Sequence, residues 1–226
     1  MKKKRLLTAV TALVLVVACF ATPMTASAAS YDRAQAVENA RNWANGYTGI
    51  DWYTCSADCT NFVSTCEAYA GITSVIPSNV PVTNNIFDDW YCHDSVTTWY
   101  MVKRSNSRPI GYQTCWTFSS SWAQVGKLRT YFCADDYATS NGRATVTQYR
   151  IETASDVTAL CKALKAGDIV QYGNDQHSVI ISTTGTSASA VKYCGHSNPA
   201  KDKAFTYFIE DCKTVSKSVY VIHFEN

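Results

Sequence analysis

The chemistry that this 226-residue chain most directly suggests is that of an unpaired cysteine. It has ten cysteines, and Cys19 lies in an N-terminal segment that we expect to be removed, which leaves nine. Cysteines of exported proteins tend to pair, so an odd number predicts one free thiol. The best candidate is Cys59, which follows Asp58 at the start of a stretch with helical apolar spacing. A thiol at a helix N-terminus is favoured as thiolate by the helix dipole, as a nucleophile requires.

The residues around this cysteine suggest two further roles. Asp58 is expected to cap the helix through its carboxylate. The Cys59 N–H would then point outward and donate to an oxyanion that forms on an attacked carbonyl group. The structural alternative is that Cys59 is buried or bonded to Cys55 or Cys66, and the odd count and the capping context argue against it.

A thiolate nucleophile needs a base, and the chain has only four histidines. His177 begins one predicted strand, and His196 follows the next. Neighbouring antiparallel strands would bring His177 close to His196 or Asn198, and that second group would fix the tautomer and orientation of the first. We prefer His196 as this third residue and keep Asn198 as the alternative. The remaining histidines are expected to be packing or surface residues: His93 and His223.

Eight cysteines remain beside Cys59, enough for up to four disulfides, and the sequence does not choose among the pairings. They are Cys55, Cys66, Cys92, Cys115, Cys133, Cys161, Cys194 and Cys212. No two of them have the close spacing of a zinc knuckle, so we expect no structural metal, and the predicted chemistry needs no cofactor.

Residues 1–28 are typical of a secretory signal peptide. A basic start is followed by an apolar stretch too short to span a bilayer, and Ala26-Ser27-Ala28 fits a signal-peptidase site. The residues before Cys19 also resemble a lipobox, and cleavage there would leave a lipid anchor on Cys19. We favour cleavage after Ala28, which predicts a secreted, extracellular protein with one domain over residues 29–226.

Charge and hydropathy limit the partners of the mature chain. Removing the signal's four basic residues leaves 16 Lys and Arg against 18 Asp and Glu, a net charge of −2. No basic run suggests nucleic acid, and no later apolar stretch is long enough for a membrane span. The oligomeric state is not determined by the sequence.

Periodicity predicts helices first and strands afterwards, an α+β domain with N-terminal helices packed on an antiparallel sheet. A capping box is expected at Ser121-Trp122-Ala123-Gln124. Residues 72–118 are rich in proline and aromatic residues and predict an irregular insertion with one short strand pair. The rings of that insertion either line a substrate groove or, as we prefer, pack the core. The predicted helices are 32–44, 58–70, a segment after 121 and 156–164, and the predicted strands are 169–172, 178–181, 190–194 and 218–224, the last closing the sheet.

Asp58-Cys59-Thr60-Asn61-Phe62-Val63-Ser64 resembles the nucleophile motif of the putative amidase domain family, a bacterial branch of the papain-like cysteine peptidase superfamily related to the NlpC/P60 and CHAP cell-wall hydrolases. The resemblance covers most of the mature chain outside 72–118. It departs at Thr65, where relatives usually have Gln, and at Pro199, where Asp is common. Three further stretches carry it: the helix from Tyr31-Asp32-Arg33-Ala34, Ser121-Trp122 with Val125-Gly126, and Gly167-Asp168-Ile169-Val170 followed by His177-Ser178-Val179.

The resemblance implies a papain-like, NlpC/P60-like fold with Cys59 as nucleophile, His177 as base and a polar residue of the next strand as orienter. The expected function is that of a secreted cysteine-dependent amidase or peptidase acting on peptide or amide bonds of peptidoglycan. Two alternatives remain: a non-catalytic module that binds cell wall or glycan on the same scaffold, and a disulfide-rich structural protein.

Overall fold

The computed structural model describes residues 31–80, 90–108, 111–133 and 144–225. The predicted signal peptide and Cys19 lie outside these ranges. Within them, no helix combines the length and the apolar composition needed to cross a bilayer.

Six helices and nine strands make up the described part of the chain. The helices are α1 (Arg33–Trp43), α2 (Cys59–Tyr69), α3 (Ser120–Ala123), α4 (Val125–Cys133), α5 (Ala154–Ala163) and α6 (Phe205–Val215). The strands are β1 (Trp90–His93), β2 (Met101–Arg108), β3 (Gly111–Ser119), β4 (Ala144–Arg150), β5 (Ile169–Tyr172), β6 (His177–Thr183), β7 (Lys192–Gly195), β8 (Ala200–Ala204) and β9 (Ser218–Phe224).

The main sheet has six strands in the order β4-β9-β5-β6-β7-β8, and all its neighbours are antiparallel. Side chains of successive strand residues point to opposite faces, so each strand contributes to two cores. Ile180 packs into the cluster that contains residues of α1 and α2, while Val179 and Ile181 pack into the cluster that contains residues of α5 and α6. The predicted α+β class, with N-terminal helices beside an antiparallel sheet, is confirmed.

The hairpin of β5 and β6 matches the sequence prediction. Tyr172 and His177 form its last pair before the turn, and the turn residues Asn174 and Asp175 have φ of 62° and 55°. Asn and Asp tolerate this left-handed conformation better than most residues. His177 therefore lies at the end of a buried strand, next to a polar turn.

The insertion over 72–118 is more regular than predicted. Its described residues form a three-stranded sheet in which β3 pairs parallel with β1 and antiparallel with β2. The Trp99 ring is fully buried and lies 4.6 Å from that of Trp122 and 5.5 Å from that of Phe132. Burial of aromatic rings anchors this part of the insertion to the core, as preferred from the sequence.

The sequence did not predict three elements of the main domain, and it predicted a fourth, β9, at the wrong position in the sheet. β9 does not close the sheet but lies between β4 and β5, because the polar strand β4 pairs along its outer side. The sequence did carry a signal for α6: Phe205, Phe208, Ile209 and Cys212 recur at helical spacing and are all buried. The unpredicted elements are β4, β8 and α6.

The two predicted helix caps differ in outcome. Asp32 accepts a hydrogen bond from the Gln35 N–H, as expected for the N-cap of α1. The capping box at Ser121 is wrong, because Ser121 lies inside α3 and its hydroxyl contacts Ser119 Oγ at 2.8 Å.

Eight of the nine cysteines that follow Cys19 have described side chains, and all eight are free thiols in this structure: Cys55, Cys59, Cys66, Cys92, Cys133, Cys161, Cys194 and Cys212. The side chain of Cys115 lies outside the described residues. The predicted disulfides therefore stay a prediction.

Candidate active site

Cys59 is the first residue of α2, as predicted, and its side chain is buried, with 6% exposure. Its Sγ lies 3.8 Å from Thr60 Oγ1, and Thr60 Oγ1 lies 3.3 Å from Ser178 Oγ on β6. The hydroxyl contact ties the first turn of α2 to the strand that begins with His177. The sulfur is thus held at the junction of helix and sheet.

Asp58 precedes the helix but does not cap it, since its side chain makes no cap hydrogen bond. Its carboxylate is almost fully buried and accepts four hydrogen bonds: from the Cys55 N–H (2.6 Å), the Asn61 amide (2.8 Å), the Tyr47 hydroxyl (2.8 Å) and the His196 Nδ1–H (2.6 Å). Burial and the Asp58 charge raise the pKa of Tyr47, so that hydroxyl remains a donor. Four donors satisfy the accepting capacity of an ionised carboxylate. The expected capping role of Asp58 is replaced by that of a buried acceptor.

The turn between β7 and β8 is fastened to the start of α2 at two points. His196 donates to the Asp58 carboxylate, and the Asp58 N–H donates to Ser197 Oγ at 2.8 Å. Because that N–H is engaged, the Asp58 backbone is not the donor for an oxyanion. The first-turn N–H groups of a helix have no acceptor within the helix, and the role of the Cys59 N–H as the oxyanion donor stays a prediction.

His196 and Asn198, the two candidates for the third residue, occupy different positions. The His196 ring stacks on Phe62 with 5.7 Å between centroids and lies 5.3 Å from the Tyr47 ring. Asn198 is exposed and lines a cleft together with Cys59 and His177.

That cleft, which we call the small cleft, has a volume of about 300 Å³. It lies at the end of the sheet, between the start of α2, the β5–β6 hairpin and α6. It brings together the predicted nucleophile and base, Cys59 and His177. Residues that line it and were not singled out from the sequence include Tyr172, Tyr193, Lys203 and Asp211. The helical spacing of α6 would have revealed the element that carries Asp211.

His177 is partly buried at the first position of β6. Its ring leans over the next strand, since a Cβ added at Gly195 would lie 3.7 Å from His177 Nε2. Burial lowers the pKa of His177, Asp211 acts in the opposite sense, and Lys203 lowers the pKa further. The net lowering favours a neutral imidazole at neutral pH, the form that accepts a proton.

Cys59 also faces a second space, the large cleft, of about 710 Å³. Its walls include Gln124, Arg129 and Asp175, and Arg129 pairs with Asp175 at 2.7 Å. Ala57, in the loop that leads into α2, lines both clefts, as Cys59 does. The two clefts therefore open on either side of this loop, with the Cys59 sulfur between them. This arrangement suits an extended molecule that passes over the thiol.

The other polar residues of the nucleophile motif hold the helix in place. Asn61 is fully buried; its amide donates to the Tyr53 carbonyl oxygen at 2.9 Å, and its carbonyl oxygen accepts from Trp122 Nε1 at 2.9 Å. The Ser64 hydroxyl donates to the Trp122 carbonyl oxygen at 2.8 Å and accepts from Trp99 Nε1 at 3.1 Å. These bonds connect α2 with α3, so the nucleophile motif and the Ser121-Trp122 stretch support each other in the fold.

Two more of the sequence motifs meet away from the clefts. Arg33 contacts Asp168 at 2.9 Å, and Tyr31 donates to the Gly167 carbonyl oxygen at 3.0 Å. His223, expected to be a packing or rim residue, pairs with Asp168 at 2.8 Å and lies 3.3 Å from Arg33. The opening helix is thereby fastened to the start of β5 through a buried carboxylate.

Within the described ranges, no cluster of three or more His, Cys, Asp or Glu side chains has a metal-binding arrangement.

In a comparison with known protein families, the model of a family described as a putative amidase domain matches residues 30–220. No curated protein and no solved structure matches the chain.

Proposed function

Because the chain belongs to the putative amidase domain family, which indicates an amide hydrolase, we propose that it is a secreted cysteine-dependent amidase or peptidase of the papain-like type that acts on peptidoglycan. The observation that carries the proposal is the small cleft, which Cys59 and His177 line together. A sulfur at a helix start and a base with a lowered pKa form the pair that nucleophilic acyl transfer requires.

The reaction begins when neutral His177 takes the proton of the Cys59 thiol and Sγ attacks the carbonyl carbon of the substrate amide. The Cys59 N–H donates a hydrogen bond to the oxyanion and stabilises it. As the C–N bond breaks, His177 returns the proton to the leaving amine, and a thioester remains on Cys59. His177 then deprotonates water, which releases the acid and restores the thiol.

The sequence favoured His196 as the orienter of His177; we propose Asn198 in its place, because Asn198 lines the small cleft with His177, while the described hydrogen bond of His196 goes to Asp58. We assign His196 a positioning role: it holds the carboxylate next to the nucleophile. Asp58 supports the site in the same sense and does not contact the substrate.

The two clefts support a substrate that extends on both sides of the scissile bond. The small cleft carries an exposed cation and an exposed anion, Lys203 and Asp211, and the large cleft carries the Arg129–Asp175 pair. Mixed charges of this kind suit short peptides with free amino and carboxylate groups, such as peptidoglycan stems, better than a strongly anionic polymer.

The experiment is digestion of purified peptidoglycan and of soluble muropeptides, with the products identified by mass. We expect the wild type to release fragments whose masses locate the cleaved amide bond. Cys59→Ser, Cys59→Ala and His177→Ala should lose at least about a thousandfold in rate while keeping the native circular dichroism. Cys133→Ser, which changes an exposed thiol outside both clefts, should retain wild-type activity.

Equal product release from the wild type and Cys59→Ser would reject the cysteine mechanism. Retained binding to cell walls with no hydrolysis by either protein would instead indicate a binding module.

A further inference from the structure

Cys55 is a second thiol close to the proposed nucleophile. It lies in the loop that leads into α2, and its N–H donates to the Asp58 carboxylate at 2.6 Å. That bond fixes the Cys55 backbone relative to the residue that precedes Cys59. The Cys55 side chain is therefore held near the active site by the same carboxylate that binds His196.

Cys92 lies opposite the same loop, on the small sheet. It is a residue of β1, where it is paired in register with Phe118 of β3. The Tyr53 ring stacks on Phe118 with 6.3 Å between centroids. Because Tyr53 stacks on Phe118, the loop that contains Cys55 lies across the part of the small sheet that contains Cys92.

The two thiols line one cavity of about 370 Å³, together with Tyr53 and Phe118. Both are partly buried, and both pack against the same hydrophobic cluster. Burial, the Asp58 charge and the neighbouring Cys92 and Cys59 thiols raise the pKa of Cys55 to about 12. Cys55 therefore lies within electrostatic range of two other thiols, one of them the nucleophile.

We propose that Cys55 and Cys92 form a disulfide in the exported protein, and that this bond keeps Cys55 from reacting with Cys59. The disulfide depends on an oxidising compartment and not on hydrolase activity, whereas its protective role rests on the proposed function. The structure describes the reduced chain, in which the two partners already face one cavity.

The chemistry is thiol–disulfide exchange with an external disulfide, either glutathione disulfide or that of an oxidoreductase. One protein thiolate attacks the external disulfide, forms a mixed disulfide and releases one external thiol. The second protein thiolate then attacks the mixed disulfide and releases the other external thiol. Two protein thiols are oxidised and one external disulfide is reduced. Because the attacking species is the thiolate, the raised pKa of Cys55 makes uncatalysed exchange slow at neutral pH.

The test is oxidation of the full-length mature protein with glutathione disulfide at pH 8.5, followed by alkylation and peptide mapping. Cleavage on the N-terminal side of aspartate places Cys55, Cys59 and Cys92 on separate peptides, because Asp58, Asp89 and Asp94 separate them. In the wild type we expect a cross-link between the Cys55 and Cys92 peptides, and a Cys59 that carries either the alkyl group or glutathione but no bond to another protein cysteine.

Two variants isolate the protective role. Oxidised Cys92→Ser should form a Cys55–Cys59 cross-link, lose Cys59 alkylation, and regain it after dithiothreitol. The double variant Cys55→Ser, Cys92→Ser should show no cross-link between Cys59 and another protein cysteine, and after oxidation Cys59 should carry either the alkyl group or glutathione, which peptide mass distinguishes.

A wild-type cross-link of Cys55 to any cysteine other than Cys92, or a Cys55 that stays free, overturns the disulfide. Oxidised Cys92→Ser without a cross-link between Cys55 and Cys59 overturns the protective role. Since every readout is chemical labelling, an inactive protein with the expected cross-links would count against the hydrolase proposal alone.

Discussion

Asp58 shows how much a single buried carboxylate organises in this protein. It receives donors from the loop before α2, from α2 itself and from the β7–β8 turn, in the form of Cys55, Asn61 and His196. Leaving buried donors without an acceptor costs about 1–3 kcal/mol for each group. The start of the nucleophile helix and the end of the sheet are therefore fixed to each other by one side chain.

At the same scale, the pH dependence of catalysis depends on the groups around His177. Tyr172 and Cys59 share its cleft, but the charged neighbours are Asp211 of α6 and Lys203 of β8. Burial lowers the pKa of His177, so the pKa that governs the acid limb of the kcat/KM profile should lie below the ordinary histidine value of about 6.5. Asp211 stabilises the imidazolium, so Asp211→Asn should move the limb to lower pH, and Lys203→Gln should move it to higher pH.

The measurement is kcat/KM against pH for the three proteins. Both side chains are exposed, so the substitutions should leave the fold intact. Shifts of the same sign in both variants, or no shift in either, would show that His177 is not the titrating base.

The roles of His196 and Asn198 can be distinguished by whether substitution lowers the catalytic rate or the stability. Asn198→Ala removes an exposed cleft residue, so we expect kcat to fall about tenfold or more, with stability unchanged. His196→Ala removes a donor from a buried carboxylate, so we expect a loss of about 1–3 kcal/mol in the free energy of unfolding. Urea unfolding and steady-state kinetics on both variants test the assignment, and the reverse pattern of losses would make His196 the orienter.

At the scale of elements, the link between α1 and β5 explains why two distant motifs occur in one chain. Arg33 and His223 both contact the buried Asp168 carboxylate, and Tyr31 donates to the carbonyl oxygen of Gly167. Breaking a buried ion pair by removing one partner is costly, because a charge is left without compensation. The helix that starts the domain is thus fixed to the strand before the histidine hairpin.

Gly167 is the position in this link where a side chain is least tolerated. Its φ is +86°, and an added Cβ would lie 2.8 Å from the Tyr31 hydroxyl. We expect Gly167→Ala to lower the free energy of unfolding by about 1–3 kcal/mol. Gly49→Ala is the matched control, since Gly49 has a φ of +77° but no atom within 4 Å of an added Cβ.

Thermal or urea unfolding of both variants separates the two causes. Gly49→Ala should lower the free energy of unfolding by the cost of backbone strain alone. Gly167→Ala should lower it by more, and adding Tyr31→Phe to Gly167→Ala should recover part of that loss. An equal loss in the two alanine variants would mean that the Tyr31 contact contributes nothing.

At the scale of the whole molecule, the core contains one carboxyl group with no hydrogen-bond partner among the described residues. Both oxygens of Glu67 are fully buried, and the neighbouring Tyr31 hydroxyl donates to Gly167 instead. Burial is the main reason that the pKa of Glu67 is raised well above its ordinary value; the nearby Tyr31 hydroxyl and Arg33 oppose the shift only in part, and the Asp168 charge adds to it. The folded protein therefore holds this group protonated.

The contribution of Glu67 to the free energy of unfolding should consequently fall as the pH rises. An unfolded glutamate ionises near pH 4.3, so above that pH the unfolded chain releases a proton that the folded chain retains. Replacing Glu67 by the neutral glutamine removes this penalty. We expect the stability advantage of Glu67→Gln to be smallest at pH 4 and to grow with pH, by up to about 1.4 kcal/mol per pH unit, until the folded pKa is reached.

Urea unfolding at pH 4, 6 and 8 measures this difference, with Glu38→Gln on the exposed face of α1 as the control. A difference between Glu67→Gln and wild type that does not change with pH would show that Glu67 is ionised in the folded protein.

Local patterns in the sequence were sufficient for much of the domain. The spacing of apolar residues located α1, α2, the β5–β6 hairpin and β9, because helix and hairpin hydrogen bonds join residues that are near in sequence. The same patterns placed Cys59 at the start of a helix and His177 at the start of a strand. The polar strand β4 escaped because only one of its sides pairs within the sheet and most of its residues remain partly or fully exposed.

Only the tertiary structure determined which groups these residues contact. Asp58 looked like a helix cap, and four donors from Tyr47 to His196 compete successfully with the helix N–H groups for its oxygens. Lys203 and Asp211 reach the small cleft only because β8 pairs with β7 and α6 packs on that side of the sheet. Cys55 and Asn61 are each three residues from Asp58 in sequence, but His196 reaches it only because the β7–β8 turn packs against the start of α2, and no local pattern in the sequence indicates that contact.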